Sequence, residues 1–296
     1  MTFLKRVLFF ALVNIAIMFT VSLLISVFGI DKMLGTGTQG LLLMCLLWGM
    51  VGAFISLWAS KWMAKMMMGV RLIDPGTHDS EARRLVERVH MLARKAGLTS
   101  MPEVGIYESP EVNAFATGPG KSSSLVAVST GLLHSLREDE VEGVLGHEIA
   151  HIANGDMVTM TLIQGVVNSF VMFFAYIATQ FLMRKDDDEG GGSYFMEFIV
   201  RQALMVVFGL LATPIVAGFS RWREYRADAG GARLAGREKM VGALQALQST
   251  VDRIDNRQGQ FAAFKISGRD LGPIARLFMT HPPLDMRIRR LQGLRA

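Results

Sequence analysis

The sequence predicts a mainly α integral membrane protein. It has about four transmembrane helices and, outside the bilayer, an α+β domain with a small sheet. Two observations carry this prediction. Apolar residues are clustered into four long runs, and the segments between and after the runs carry globular patterning. Of the 296 residues, 51% are hydrophobic and 19% charged, against roughly 25% charged in a soluble domain, and the mean hydropathy is +0.33.

The apolar runs come first. Val7–Ile30, Leu41–Trp58, Val158–Met183 and Phe195–Phe219 each approach or exceed the ~20 residues that cross a bilayer as a helix. The first follows Lys5-Arg6. It is too long for a signal-peptide core and lacks a small-x-small cleavage site, so it reads as an uncleaved anchor. In the fourth, Glu197 and Arg201 are four apart and can pair or snorkel. Eight of the 20 methionines fall in these runs and read as packing and lipid-facing residues.

The globular patterning lies in two stretches. Ser80–Ala96 reads as an amphipathic helix with Leu85, Val86, Val89, Leu92 and Ala93 on one side and Gly97 after its end. Val104–Tyr107, Val112–Thr117 and Leu125–Ser129 read as strands, the last two around a Gly118-Pro119-Gly120 turn. Asp255–Gly272 reads as a polar loop. The expected organisation is a transmembrane hairpin over residues 1–70, a first catalytic part over 71–157, a second hairpin over 158–220 with an acidic, glycine-rich loop at Arg184–Ser193, and a second catalytic part over 221–296.

One motif carries chemistry. His147-Glu148-Ile149-Ala150-His151 puts two imidazoles one helical turn apart on one face, where they can grip one zinc ion, with Glu148 placed to take a proton from water there. The surroundings fit a helix. Ser135 with Glu138 resembles a capping box before the acidic run Glu138-Asp139-Glu140, Val141, Val144, Leu145 and Ile149 form an apolar stripe, and Asn154-Gly155 is a stop. A catalytic zinc takes three protein ligands. Glu224 is the best third ligand, and Asp228, four residues on, can accept from the far nitrogen of a metal-bound histidine. Asp156 and His281 rival Glu224 for the ligand role, and a solvated face paired to Arg221 and Arg226 is the other reading of Glu224 and Asp228.

Other classes are disfavoured. A single cysteine, Cys45, excludes a disulfide framework and argues against a thiolate site. The net charge of +5 comes without an aromatic-basic patch, so no nucleic-acid partner is expected. The basic residues instead choose a face. Lys61, Lys65 and Arg71 follow the second run, and Arg221, Arg223 and Arg226 the fourth. The opposite loops carry Lys32 with Asp31, and Arg184-Lys185 beside four acids. This excess places both globular parts, which must share one metal, in the cytoplasm.

Several motifs together resemble the HtpX family of bacterial membrane heat-shock zinc proteases, gluzincin peptidases related to the Ste24-type CAAX endopeptidases. They are Asn113–Gly118, Val128–Leu133, Gly146–His151, Asn154–Gly165, Arg223–Asp228 and Thr280–Asp285, and the likeness runs over the whole chain. One small departure is Tyr225, where the family often has Phe. The resemblance implies a gluzincin-like cytoplasmic domain, one zinc per chain on His147, His151 and Glu224, and Glu148 as base. It implies a bacterial inner-membrane endopeptidase acting on misfolded membrane proteins and unfolded polypeptides in the stress response. It further implies that Asn113 lies on or beside the strand that aligns substrate and that His281 stabilises the oxyanion. By residue pattern alone, Asn113 is equally a turn residue, His281 a helix-start residue before Pro282-Pro283, and Arg287 either orients substrate or lies on a solvated helix face. A narrow CAAX-like processing protease and a membrane chaperone with structural zinc remain the alternative functions.

Overall fold

In a computed structural model, residues 37–183, 194–257 and 276–293 are described. The run Val7–Ile30, the loop Arg184–Ser193 and most of Asp255–Gly272 lie outside them. The elements are α1 (Thr38–Met68), β1 (Arg71–Leu72), α2 (Ser80–Lys95), β2 (Glu103–Tyr107), β3 (Ala114–Gly120), β4 (Ser123–Ser129), α3 (Thr130–Ser135), α4 (Glu138–Asn154), α5 (Asp156–Leu182), α6 (Tyr194–Leu234), α7 (Arg237–Arg257) and α8 (Leu284–Gln292). The described residues fall into two compact units, one taking the chain up to Ser56 with Thr161–Val216, the other Leu57–Met160 with the chain from Ala217 on.

In the first unit the helices are uniformly apolar. Among the described residues three helices, α1, α5 and α6, are long and apolar enough to cross a membrane. Gly49 and Gly165 let α1 and α5 touch through backbone: a Cβ on Gly49 would stand 2.5 Å from the Gly165 carbonyl oxygen, the close approach that small residues give helices in lipid. Glu197 and Arg201 pair, and the Arg201 guanidinium lies over the Tyr176 ring.

The second unit builds its core on a four-stranded mixed sheet in the order β1-β2-β4-β3. Strand β2 runs parallel to β4, while β1 and β3 are antiparallel to their neighbours. Central β4 is covered on both faces, which explains its unbroken apolar run Leu125-Val126-Ala127-Val128. Val126 and Val128 face α2 and α4. Leu125 and Ala127 face Tyr107 and Val70. Helix α2 starts on Asp79, whose carboxylate accepts from the amides of Glu81 and Ala82. It buries the five residues its periodicity marks out.

Three local expectations need correction. The β3–β4 turn falls at Lys121-Ser122, because Gly118-Pro119 is absorbed inside β3 by a register shift between Thr117 and Gly120. Gly118 there has φ 132°, and a Cβ would stand 2.2 Å from the Ser123 carbonyl oxygen. Ser135 ends α3 rather than capping α4. Helix α4 begins after Arg137, whose amide donates to the Glu140 carboxylate at 2.8 Å. That is half of a capping box, since a guanidinium cannot accept the return bond. Finally, Asp255–Arg257, expected in a loop, complete α7.

Two helices position the site. Helix α4 turns Leu145, Ile149 and Ile152 into the core. It stops at Gly155 in a left-handed conformation at φ 71°. Helix α6 crosses it closely because the contact is made of small residues. A Cβ on Gly230 would lie 2.6 Å from the Ala150 Cβ, and one on Gly231 would lie 2.9 Å from the His147 amide nitrogen.

Candidate metal centre

The close crossing brings Glu224 of α6 against His147 and His151 of α4. The two Nε2 atoms stand 3.1 Å apart. Glu224 Oε2 is 3.6 Å from His147 Nε2, and Oε1 is 3.4 Å from His151 Nε2. Among the described residues these three form the one group whose ligand atoms all lie within 4.8 Å of one another.

The opposite ring nitrogens explain why the Nε2 atoms are free to bind. His147 Nδ1 is 3.0 Å from Asp228 Oδ1, and His151 Nδ1 is 2.7 Å from Asp156 Oδ2. Each carboxylate draws the ring proton to Nδ1, leaving the Nε2 lone pair aimed inward. Two lone pairs and a carboxylate pointed at one spot repel unless a cation lies between them. A proton is one such cation. Burial disfavours charge on His147, yet the bonds to Asp228 and Glu224 outweigh it and raise its pKa to about 9. His151 is raised in the same way, against burial, by Asp156 and Glu224.

A divalent metal fits better than a proton. Zn–N bonds of about 2.0–2.1 Å in a tetrahedron set ligand atoms roughly 3.3–3.4 Å apart, close to the separations found. Glu224, Asp228 and Asp156 are buried carboxylates, and Arg287 is the one buried guanidinium among them, so with both histidines neutral, as metal ligation requires, the buried side chains carry an excess of two negative charges. Nitrogen and oxygen donors without sulfur suit zinc and other borderline or hard divalent ions.

Arg287 is not on a solvated helix face: it is buried. Its Nε donates to Asp228 Oδ2 at 2.8 Å and its Nη2 to Asp228 Oδ1 at 2.6 Å, a bidentate pair. Its Nη1 is 3.4 Å from Glu224 Oε2. Arg287 therefore holds the carboxylate that holds His147. Asp156 is the group the sequence placed less well. As a neighbour of the motif it was a rival ligand, whereas in the structure it grips the far side of His151. Its position just after Gly155 is the signal that the chain turns back there.

A cleft of about 150 Å³ opens on the cluster, lined by His147, Glu148, Glu224, Asn113, His281 and Arg287 among others. Asn113 directly precedes edge strand β3. Its amide donates to Ser129 Oγ at 3.1 Å, and its carbonyl accepts from the Ser129 amide at 2.9 Å. His281 Nδ1 lies 2.9 Å from Glu224 Oε2, with 64% of the side chain exposed. Met240, Ala243, Leu244 and Leu247 of α7 give the cleft an apolar wall.

A helical frame with apolar spans and a buried His-His-Glu cluster that lines one cleft with Glu148 define the class: a metalloprotease of the membrane. The comparisons agree. The family model for peptidase family M48 matches residues 79–295. The chain is 48% identical over 301 residues to a protein named "Protease HtpX homolog" of Bacillus licheniformis, covering 98% of this chain and 99% of the relative. It is 50% identical over 295 residues to "Protease HtpX" of Idiomarina loihiensis, covering 98% and 100%. The fold is also similar to that in a crystal structure of S. mikatae Ste24p, with a TM-score of 0.60 and 20% identity over 82% of this chain; the chain spans 56% of that protein. The chain belongs to peptidase family M48.

The carboxylates behind the histidines give a graded expectation. Asp228→Ala and Asp156→Ala should each weaken metal binding by roughly 10–100-fold, as losses of orienting partners do. Competition against a calibrated chelator measures this, and unchanged affinity in both variants would contradict the assigned roles.

Proposed function

We propose that this chain is a zinc-dependent endopeptidase of the bacterial inner membrane that hydrolyses peptide bonds of misfolded or damaged membrane proteins. The observation that carries the reading is the inward-facing His147, His151 and Glu224 cluster, set beside Glu148 in a cleft that is open to the surface.

His147, His151 and Glu224 would hold the zinc. When bound, zinc supplies Lewis acidity that polarises the scissile carbonyl and brings a water's pKa to about 7. Glu148 takes a proton from the attacking water, whose oxygen bonds to the carbonyl carbon. The carbon–nitrogen bond then breaks, and Glu148 delivers the proton to the leaving amine. His281 donates to the oxygen that gains negative charge in the tetrahedral intermediate. The outer edge of β3 aligns an extended substrate by main-chain hydrogen bonds, with Asn113, whose own amide and carbonyl are taken by Ser129, beside it; this favours loose sequence preference. Asp228 and Asp156 keep both imidazoles in register, with Arg287 steadying Asp228.

We further propose four spans, with Val7–Ile30 as the first, and both catalytic parts, residues 71–157 and 221–296, in the cytoplasm. The positive residues after the apolar parts of α1 and α6 support this orientation. No nucleic acid takes part. Cysteines introduced at Gly37 and Gly191 should react with an impermeant thiol reagent from the periplasmic side, and one at Ser100 should not; labelling of Ser100 alone would reverse the orientation.

The mechanism is tested with purified protein and a model membrane-protein substrate. Glu148→Gln should bind one zinc per chain and lose cleavage, while Glu224→Ala should lose the metal itself. Substantial cleavage by Glu148→Gln would remove Glu148 as base. A survey of wild-type products should find many unrelated sites, whereas cuts confined to one C-terminal motif would favour the narrow processing enzyme.

A further inference from the structure

Among the described residues, few backbone bonds hold the segment that carries His281. Residues 278–283 form a turn, bends and irregular chain. Leu277 and Phe278 are 50% and 43% exposed, and the first buried residue is Pro282, so burial contributes little to fixing the part before His281. Its internal ties are a long Met279 amide bond to the Arg276 carbonyl at 3.4 Å and the Pro283 carbonyl accepting from the Arg287 amide at 3.2 Å.

Arg221 supplies the missing tie. Its Nη1 donates to the carbonyl oxygens of Met279 at 2.6 Å, Leu277 at 3.0 Å and Arg276 at 3.3 Å. Glu224, which contacts His281 at 2.9 Å, is three residues further along α6 and therefore on the same helix face. One face of α6 thus grips this segment twice, through its backbone at Arg221 and through the imidazole at Glu224.

We propose that Arg221 is a positioning residue that fixes the 276–281 segment so that His281 stands at the metal centre. The proposal rests on the reading of His281 as oxyanion donor. The competing role for Arg221 is that of a positive charge flanking a membrane span, which would set orientation and leave His281 alone.

A double-mutant cycle on the full-length, zinc-loaded protein separates the two roles. Residues that act through one another are non-additive, whereas independent ones add. Arg221→Ala should lower kcat roughly tenfold with KM and zinc stoichiometry unchanged. In a His281→Ala background the same change should cause no further loss. Hydrogen exchange, which does not depend on turnover, should speed up at the amides of residues 277–281 in Arg221→Ala. Arg221→Lys keeps the flanking charge for insertion but reaches less far, and should show the same coupling with a smaller loss. Equal losses in both backgrounds, or unchanged exchange in the segment, would overturn the proposal while leaving His281 in its role. Full turnover by His281→Ala would overturn the oxyanion reading and this proposal with it.

Discussion

Crowding of like-charged atoms is the constraint on which this structure turns. Four acceptor atoms, one ring nitrogen each from His147 and His151 and both carboxylate oxygens of Glu224, stand 3.1–3.6 Å from their neighbours across the three side chains in a buried place. Nothing apolar could hold them there, since burying unpaired polar and charged groups is costly. What holds them is a surround built for the purpose. Asp228 and Asp156 pull the ring protons to the far side of each imidazole. Arg287 offsets part of the carboxylate charge. Glycines 230 and 231 let α6 come close enough for Glu224 to reach across. A divalent cation completes this set, and it matches the excess of negative charge left among the buried groups.

The same helix ties the site to the membrane. Glu224 lies five residues beyond Phe219, the end of the fourth apolar run, which is about 7.5 Å of helix rise. Helix α6 continues through both without a break from Tyr194 to Leu234. This nearness is the feature that the proposal of membrane-protein substrates draws on. In the proposed function the cleft would divide the work: the edge of β3 would take up substrate backbone, and the apolar wall from α7 would accept varied side chains.

Much of this was legible in the sequence because it is local. The metal motif, the amphipathic face of α2 and the Gly155 stop each follow from spacing within one helix. Glu224 and Asp228 were legible as a pair, four apart, and Glu224 ranked ahead of Asp156 as ligand, though spacing alone left Asp156 a rival. Long-range geometry was not legible. Arg287 is 59 residues from Asp228, and an arginine on a short basic helix carries no mark of burial. The turn placed at Gly118-Pro119-Gly120 shows a different limit: glycine and proline signal an irregularity, and here the irregularity is a shift within β3 rather than its end. The length of α6 was hidden as well, because its composition changes from apolar to charged and Pro214 removes one helical hydrogen bond, yet the helix runs on from Tyr194 to Leu234.

The central claim is a three-ligand metal site with a position left for water. X-ray absorption at the zinc edge of the purified, zinc-loaded protein tests it most directly. The account predicts one zinc per chain with four nitrogen or oxygen ligands at about 2.0–2.2 Å, two of them imidazole, and no sulfur. Four protein ligands with no exchangeable water, or zinc bound without imidazole, would contradict it.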